Sequence, residues 1–233
     1  MSSKVPGHIA IILDGNRRYA GKIGLQPWKG HEFGLRKLEE LFGWCIELGI
    51  KEVTLYCFST ENFKRAKKEV NYLFSLFWKE FGKMKKGEGV FKDRVKVNII
   101  GRMSMFSEKM QKAMLEAMQK TRNNKALAAN FALAYGGRQE IVDAVKKIAL
   151  NFQKNKIKAN EINEKLITQN LYLKSEPDLV IRPGGEIRTS NFLTWQSVYS
   201  EWIFIDKLWP EFTKNDLISC IEEFSKRERR FGK

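Results

Sequence analysis

The chain has 233 residues, 43% of them hydrophobic, which is enough for a substantial core and argues against disorder. Lys and Arg number 42 against 27 acids, a net charge of +15 that favours anionic partners: nucleic acid, acidic lipid or phosphorylated small molecules. Three scattered cysteines (Cys45, Cys57, Cys220) argue against a disulfide framework or a structural zinc site, and no apolar run reaches the ~18–20 residues that span a bilayer. The apolar run near the N-terminus is too short for a signal peptide, so a soluble cytoplasmic protein able to rest on a membrane surface is expected.

Short β-rich runs alternate with helix-patterned stretches along the chain. A strand over 9–13 leads into Asp14-Gly15-Asn16, and a helix over 34–48 follows. A strand over 53–58 leads into Ser59-Thr60-Glu61-Asn62, then a helix over 70–86. Next come a strand over 95–100, a helix over 107–121, a strand over 131–135 ending in Gly136-Gly137-Arg138, and helices over 139–153 and 161–170. A strand over 179–181 leads into the segment 182–190; a strand over 203–205 and a helix over 213–227 close the order. No repeat, low-complexity tract or linker divides it. The expectation is a single α/β domain over 1–233 with a mostly parallel central sheet flanked by helices. The runs lack polar alternation, as strands covered on both faces do.

The polar residues that look chemical follow the strands. In an open α/β sheet ligands bind beyond the carboxyl ends of the strands, so four polar loops converge there on one site. Asp14 with Asn16 suits Mg²⁺, which needs few protein ligands when substrate phosphates supply the rest. Asp-Gly-Asn is also ordinary turn chemistry; Arg17 and Arg18 tip the balance towards an anion site. Arg182, Arg188, Thr189 and Ser190, with Gly184 and Gly185, suit a phosphate cradle; the alternative is a surface turn in which Glu186 neutralises Arg188. Glu201 is a second metal ligand or half of a structural ion pair. His31 opens a helix, and Ser59 and Asn62 serve as caps or as site residues. Residues 64–68 form a solvated basic face or a lid over phosphates. Val70, Leu73, Phe74, Phe77, Trp78, Phe81 and Met84 form a wide stripe at helical spacing, as does the methionine-rich run 103–118. Pattern alone favours core packing for both.

Five separated segments, taken together and in this order, resemble the cis-prenyltransferase family, best known from bacterial undecaprenyl diphosphate synthase. They are HIAIILDGNRR (8–18) with Gly30-His31, LYCFSTENFKR (55–65), YGGR (135–138), LVIRPGGEIRTSNF (179–192) and LWP (208–210). The paired DDxxD signature of trans-prenyltransferases is absent.

The resemblance implies a Mg²⁺-dependent transferase. It would condense isopentenyl diphosphate onto an allylic diphosphate, usually farnesyl diphosphate, with a new cis double bond. The product would be a polyprenyl diphosphate of undecaprenyl type, a carrier lipid for cell-wall glycans. The allylic diphosphate would lie near Asp14, Gly15, Asn16, Arg17, Arg18 and Tyr19. Its tail would enter a hydrophobic tunnel between the sheet and two helices, walled by 33–38 and 74–84, with Leu127 near the stop. Isopentenyl diphosphate would be held by Arg182, Arg188, Thr189 and Ser190. Mg²⁺ would contact Asp14 and Glu201. Asn62, Ser59 and His31 would lie at the reacting centre, with Thr60, Glu61, Phe63 and Arg65 lining it and Glu69 in the mobile segment that follows. Arg230-Phe231-Gly232 would reach across a homodimer. The chain departs from the family at Arg17, Arg18, Tyr19, Phe63, Pro183 and Pro27, the last leaving Lys29 or Arg17 to replace an arginine contact. A catalytically silent family subunit is the alternative, which the presence of Asp14, Asn62, Arg182, Arg188 and Glu201 argues against; a nucleic-acid-binding module would need exposed aromatics among basic residues. Most aromatics here fall on apolar stripes, so no nucleic-acid partner is expected.

Overall fold

A computed structural model of the chain describes residues 5–88 and 91–227. Its centre is one six-stranded sheet: β1 His8–Ile12, β2 Glu52–Ser59, β3 Val95–Ile100, β4 Leu127–Tyr135, β5 Leu179–Pro183 and β6 Glu201–Ile205. The order is β3-β4-β2-β1-β5-β6, and every pairing is parallel. β1 and β5 are buried along their whole length, as the unbroken apolar runs predict. From β1 the chain first builds outward on one side through β2, and β5 then takes the other side. The order therefore reverses between β1 and β5, where a doubly wound sheet opens a crevice.

Among the described residues seven α-helices cover the sheet: α1 Asn16–Lys22, α2 Gly30–Glu47, α3 Lys67–Lys86, α4 Glu108–Thr121, α5 Gly137–Gln153, α6 Glu164–Asn170 and α7 Lys214–Lys226. The larger core lies on one face. There Leu38 and Phe42 of α2, Leu73 and Phe81 of α3, Met114 of α4 and Leu217 of α7 meet Ile9, Leu55, Val97 and Phe131. The smaller core, around Ala10, Tyr135, Val180 and Phe192, lies on the other. The single-domain α/β expectation holds. Several elements start or end a few residues from their expected bounds, α2 at Gly30 and α3 at Lys67 among them. β4 begins at Leu127, because Leu-Ala-Ala-Asn reads as helix-forming yet pairs with β2 and β3. α1 escapes a reading by periodicity: seven residues are too few to be helical alone. It is held instead by Ala20, fully buried, and by Tyr19 against Phe33 at 5.2 Å.

Candidate active site

The site begins where β1 ends. Asp14 donates its amide to Ile12 O at 2.9 Å, a tight turn that swings its carboxylate out of the strand. Gly15 follows at φ +101°, and a Cβ there would stand 2.9 Å from the Leu208 side chain. Glycine is thus required both by the turn and by the close passage of the 208–209 segment. Across the crevice, Arg182 in β5 is 3% exposed. Its Nη2 donates to Asp14 Oδ2 at 2.8 Å, and its Nη1 donates to Ser190 Oγ at 2.8 Å and to the carbonyl of Arg188. Gly184, at φ +104°, brings the loop so near that a Cβ would meet Arg18 Nη2 at 2.8 Å. Arg18 itself lies 3.3 Å from Asp14 Oδ1. One carboxylate therefore neutralises two arginines from two loops.

A second carboxylate does the same on the other wall. Glu69, in the first turn of α3, is 4% exposed. It receives Arg65 Nη1 at 2.9 Å, with His31 Nε2 at 3.6 Å and Arg17 Nε at 3.9 Å. Burial first, and then the Arg65 guanidinium, hold the His31 pKa down to about 4 against the pull of Glu69. His31 is therefore neutral at physiological pH. Its Nε2 is buried without a hydrogen-bond partner, since 3.6 Å is too long for one.

The loop after β2 completes the floor. Ser59 N donates to Asn62 Oδ1 at 3.1 Å, so the capping role is real. Both residues still line the cavity. Tyr56 stacks on Phe192 at 4.6 Å and its hydroxyl reaches Ser190 O at 3.3 Å, which steadies the loop after β5. Burial pushes the Tyr56 pKa up, so this hydroxyl stays a donor. Asn191 ties in the fourth loop: its carbonyl accepts from Gly137 N at 2.7 Å and its Oδ1 from Arg138 N at 2.9 Å. The four strand-end loops converge, as expected.

Three cavities follow from this arrangement. A basic one of about 470 Å³ lies at the mouth, between Asp14, Gly15, Asn16, Arg17, Arg18, His31 and Arg65. A deeper one of about 250 Å³ adds Ser59, Asn62, Tyr56 and Ser190, then turns apolar at Leu35, Leu38, Leu73 and Phe77. A narrow apolar one of about 30 Å³ continues between Phe42, Phe81, Met84, Phe91 and Phe131. The last two share Leu35, Leu38, Cys57 and Phe77, so the basic mouth runs into an apolar channel between the sheet, α2 and α3. The channel thus runs along the α3 stripe that pattern alone assigns to the core: Leu73, Phe81 and Met84 are both buried core and wall, whereas the methionine-rich run 103–118 lines none of these cavities.

Several expected residues stand elsewhere. Glu201 opens β6 opposite Leu179, at the amino end of the sheet, at least ~10 Å along the strands from Asp14. It pairs with Arg227 at 2.8 Å. Within one chain the two carboxylates stand too far apart to share an ion, and Glu201 makes the structural ion pair. Arg188 is exposed and pairs with Glu186 at 2.5 Å, and Thr189 is exposed beside it. Tyr19 packs on α2, and Phe63 packs among Phe58, Phe74 and Phe106. Phe33 faces Tyr19 and Arg36 rather than the channel. Thr60 buries its hydroxyl without a partner, and Glu61 sits exposed on a 3₁₀ turn over Thr60–Lys64. Lys29 lies over the Tyr72 ring and near Glu32, so Arg17 is the cation that faces the mouth. Leu127 lies four residues before Phe131 on β4, beyond the cavity walls. Arg230, Phe231 and Gly232 lie outside the described residues.

Asp14 is a hard oxygen donor at the boundary of the two larger cavities. No group of three or more acidic, His or Cys side chains is placed to hold a metal among the described residues. That donor set fits Mg²⁺ carried largely by phosphate oxygens and does not fit an all-protein metal cage. Tyr56, Asn191 and the Glu69 hub were not legible as site residues: each acts through a contact made only by the fold.

Residues 12–232 match the family model described as "Putative undecaprenyl diphosphate synthase". A protein of Thermococcus kodakarensis named tritrans,polycis-undecaprenyl-diphosphate synthase (geranylgeranyl-diphosphate specific) is 49% identical over 100% of this chain and 89% of its own length. An isoprenyl transferase of Thermus thermophilus is 45% identical over 98% of this chain and 89% of its own. The crystal structure of lavandulyl diphosphate synthase from Lavandula x intermedia, in complex with dimethylallyl diphosphate, superposes with a TM-score of 0.93 at 33% identity, covering 98% of this chain and 99% of that one. That of a probable undecaprenyl diphosphate synthase from Campylobacter jejuni gives 0.82 at 33% identity, covering 99% and 100%. A basic mouth opening on an apolar channel, on this sheet and with these relatives, places the chain in the undecaprenyl diphosphate synthase family of cis-prenyltransferases.

Proposed function

We propose that the protein elongates an allylic prenyl diphosphate with isopentenyl diphosphate in a Mg²⁺-dependent reaction, releasing diphosphate and forming a cis double bond. One observation carries the reading: the arginine-lined mouth and the apolar channel are continuous through Leu35, Leu38, Cys57 and Phe77. A ligand with an anionic head and a long apolar tail fits that shape and charge.

The allylic diphosphate head takes the mouth, where Arg17, Arg18 and Arg65 offer guanidinium forks to its oxygens. Its tail enters the channel. Isopentenyl diphosphate takes the loop after β5, with Arg182 and Ser190 at its head. Arg188 reaches it by releasing Glu186. Asp14 would hold Mg²⁺, which would supply positive charge to offset that of the leaving diphosphate. The allylic C–O bond breaks, the terminal alkene carbon of isopentenyl diphosphate bonds to the allylic carbon, and a proton leaves the neighbouring carbon. Arg18, Arg65 and the Asn62 amide nitrogen are fixed where negative charge grows, which is the efficient form of electrostatic catalysis. The apolar walls keep water from the electron-poor carbon.

Farnesyl diphosphate is the primer that the bacterial resemblance suggests. Geranylgeranyl specificity stands in the names of the Thermococcus kodakarensis protein and of a Pyrococcus horikoshii one at 50% identity, and this favours the longer primer. The product is a long-chain polyprenyl diphosphate of undecaprenyl type, serving as a glycan carrier lipid. The exposed apolar stripe Val142, Val145 and Phe152 on α5 supports a homodimer. No described helix is long and apolar enough to cross a membrane, and the basic surface suits product release at an anionic one. Incubation with labelled isopentenyl diphosphate and each primer in turn tests the choice. Higher kcat/KM with geranylgeranyl diphosphate is expected; equal or better use of farnesyl diphosphate overturns it.

A further inference from the structure

The channel has one wall unlike the others. On α2 its lining falls at Leu35, Leu38, Glu39 and Phe42, and on α3 at Phe77, Glu80, Phe81 and Met84. Each set follows the i, i+3, i+4, i+7 spacing of a single helix face. Each apolar face carries one glutamate, and the two glutamates meet through one lysine. Lys83 Nζ lies 3.0 Å from Glu80 Oε1 and 3.3 Å from Glu39 Oε1. Glu80 is only 8% exposed, an unusual position for a carboxylate beside a hydrocarbon channel.

The two helices are otherwise poorly joined. α3 packs along α4 rather than on α2, and the channel runs between α2 and α3. At the mouth, Tyr72 of α3 donates to Glu32 of α2, with Lys29 over the Tyr72 ring. At the far end the Glu39–Lys83–Glu80 bridge closes the seam. Polar contacts thus close the seam at both ends.

Space makes the seam consequential. The inner cavities of about 250 and 30 Å³ fall below the ~300–1,000 Å³ of pockets for drug-sized ligands. A chain that gains isoprene units must displace a wall. The sheet wall is locked by ladder hydrogen bonds, and the outer side of α3 by its packing on α4. The α2–α3 seam is the wall that can part, and the Lys83–Glu39 contact resists its parting.

We propose that the Glu39–Lys83–Glu80 bridge is a side gate of the channel that limits product length, with Lys83 as the specificity-determining residue. This rests on the prenyl-elongation reading. While the bridge is closed, the growing chain meets a charged seam that hydrocarbon cannot satisfy, and elongation stops when the channel is full. When the bridge is absent, the seam opens and further condensations proceed.

The test is product sizing for the unaltered protein, Lys83→Met and Glu39→Gln, at matched substrate consumption. Lys83→Met keeps the apolar stem and removes the charge. Glu39→Gln alters only the half-exposed partner, so it reports on the gate even if Lys83→Met folds poorly. The expected result is a shift to products longer by at least one isoprene unit in each folded variant. KM for the primer should stay within ~2-fold, because the mouth is untouched. An unchanged or shortened distribution in Glu39→Gln, with the unaltered protein elongating normally, overturns the gate alone. Absence of elongation by the unaltered protein overturns the reaction and the gate with it.

Discussion

Arg182 Nη2 donates to Asp14 Oδ2 at 2.8 Å across the β1–β5 boundary, joining residues 168 positions apart at the point where the sheet order reverses. In the ligand-free site each is the other's counter-ion. Arriving phosphate and Mg²⁺ would replace both halves of the pair with stronger partners.

The pair separates chemistry from stability in a measurable way. Asp14→Ala should lower turnover at least ~100-fold, the scale of losing one fixed charge-stabilising group. It should also cost ~1–3 kcal/mol in urea unfolding, because Arg182, 3% exposed, loses a partner. Asp14→Asn keeps an acceptor for Arg182 and should recover most of the stability but not the turnover. Full activity in either variant would remove Asp14 from the mechanism.

The two arginines of the β5 loop should behave differently. The Arg188 side chain is exposed and pairs with Glu186, so Arg188→Ala should leave the urea midpoint within ~0.5 kcal/mol of the unaltered value while raising KM for isopentenyl diphosphate. Arg182→Lys retains the charge but loses the fork that joins Asp14 to Ser190. It should lower kcat/KM and stability together. Equal stability losses in the two variants would contradict the assigned burial.

His31 makes a pH prediction. Its native pKa is lowered from 6.5 to about 4 by burial and by Arg65. Below pH 6.5 the unfolded chain binds a proton at this residue that the folded chain refuses. The stability it contributes is therefore complete above pH 6.5 and is lost as pH falls towards 4. His31→Gln should flatten that part of the urea-unfolding profile between pH 7 and 4.5. An unchanged slope would mean His31 is not the buried neutral ring described.

Cys57 stands where the mouth becomes the channel, lining both inner cavities. Cys57→Phe should obstruct the tail without touching the arginines. Products should shorten and KM for the longer primer should rise, while isopentenyl diphosphate binding stays level. Overpacking should cost ~1–3 kcal/mol in stability. Unaltered product length would place the tail elsewhere.

The sheet was legible because its strands are apolar runs without alternation, and the site because polar residues cluster after those strands. Asp14 and Arg182 could be named from sequence, but not as partners: their 168-residue separation closes only through the strand order. Glu201 shows the opposite failure. It sits near the site residues in sequence, yet β6 begins with it, so the parallel register carries it to the far edge. α1 was illegible because seven residues without periodicity are helical only by docking on α2. The Glu69 hub was illegible because a carboxylate beside a lysine-rich stretch looks like a solvated pair until its burial is known.

The central claim is best tested by incubating the purified protein with geranylgeranyl or farnesyl diphosphate and labelled isopentenyl diphosphate, with Mg²⁺ or with excess chelator, and sizing the labelled lipid. A ladder of polyprenyl diphosphates with new cis double bonds that disappears with the chelator is expected. Label that stays in isopentenyl diphosphate with either primer, or elongation indifferent to Mg²⁺, would contradict it.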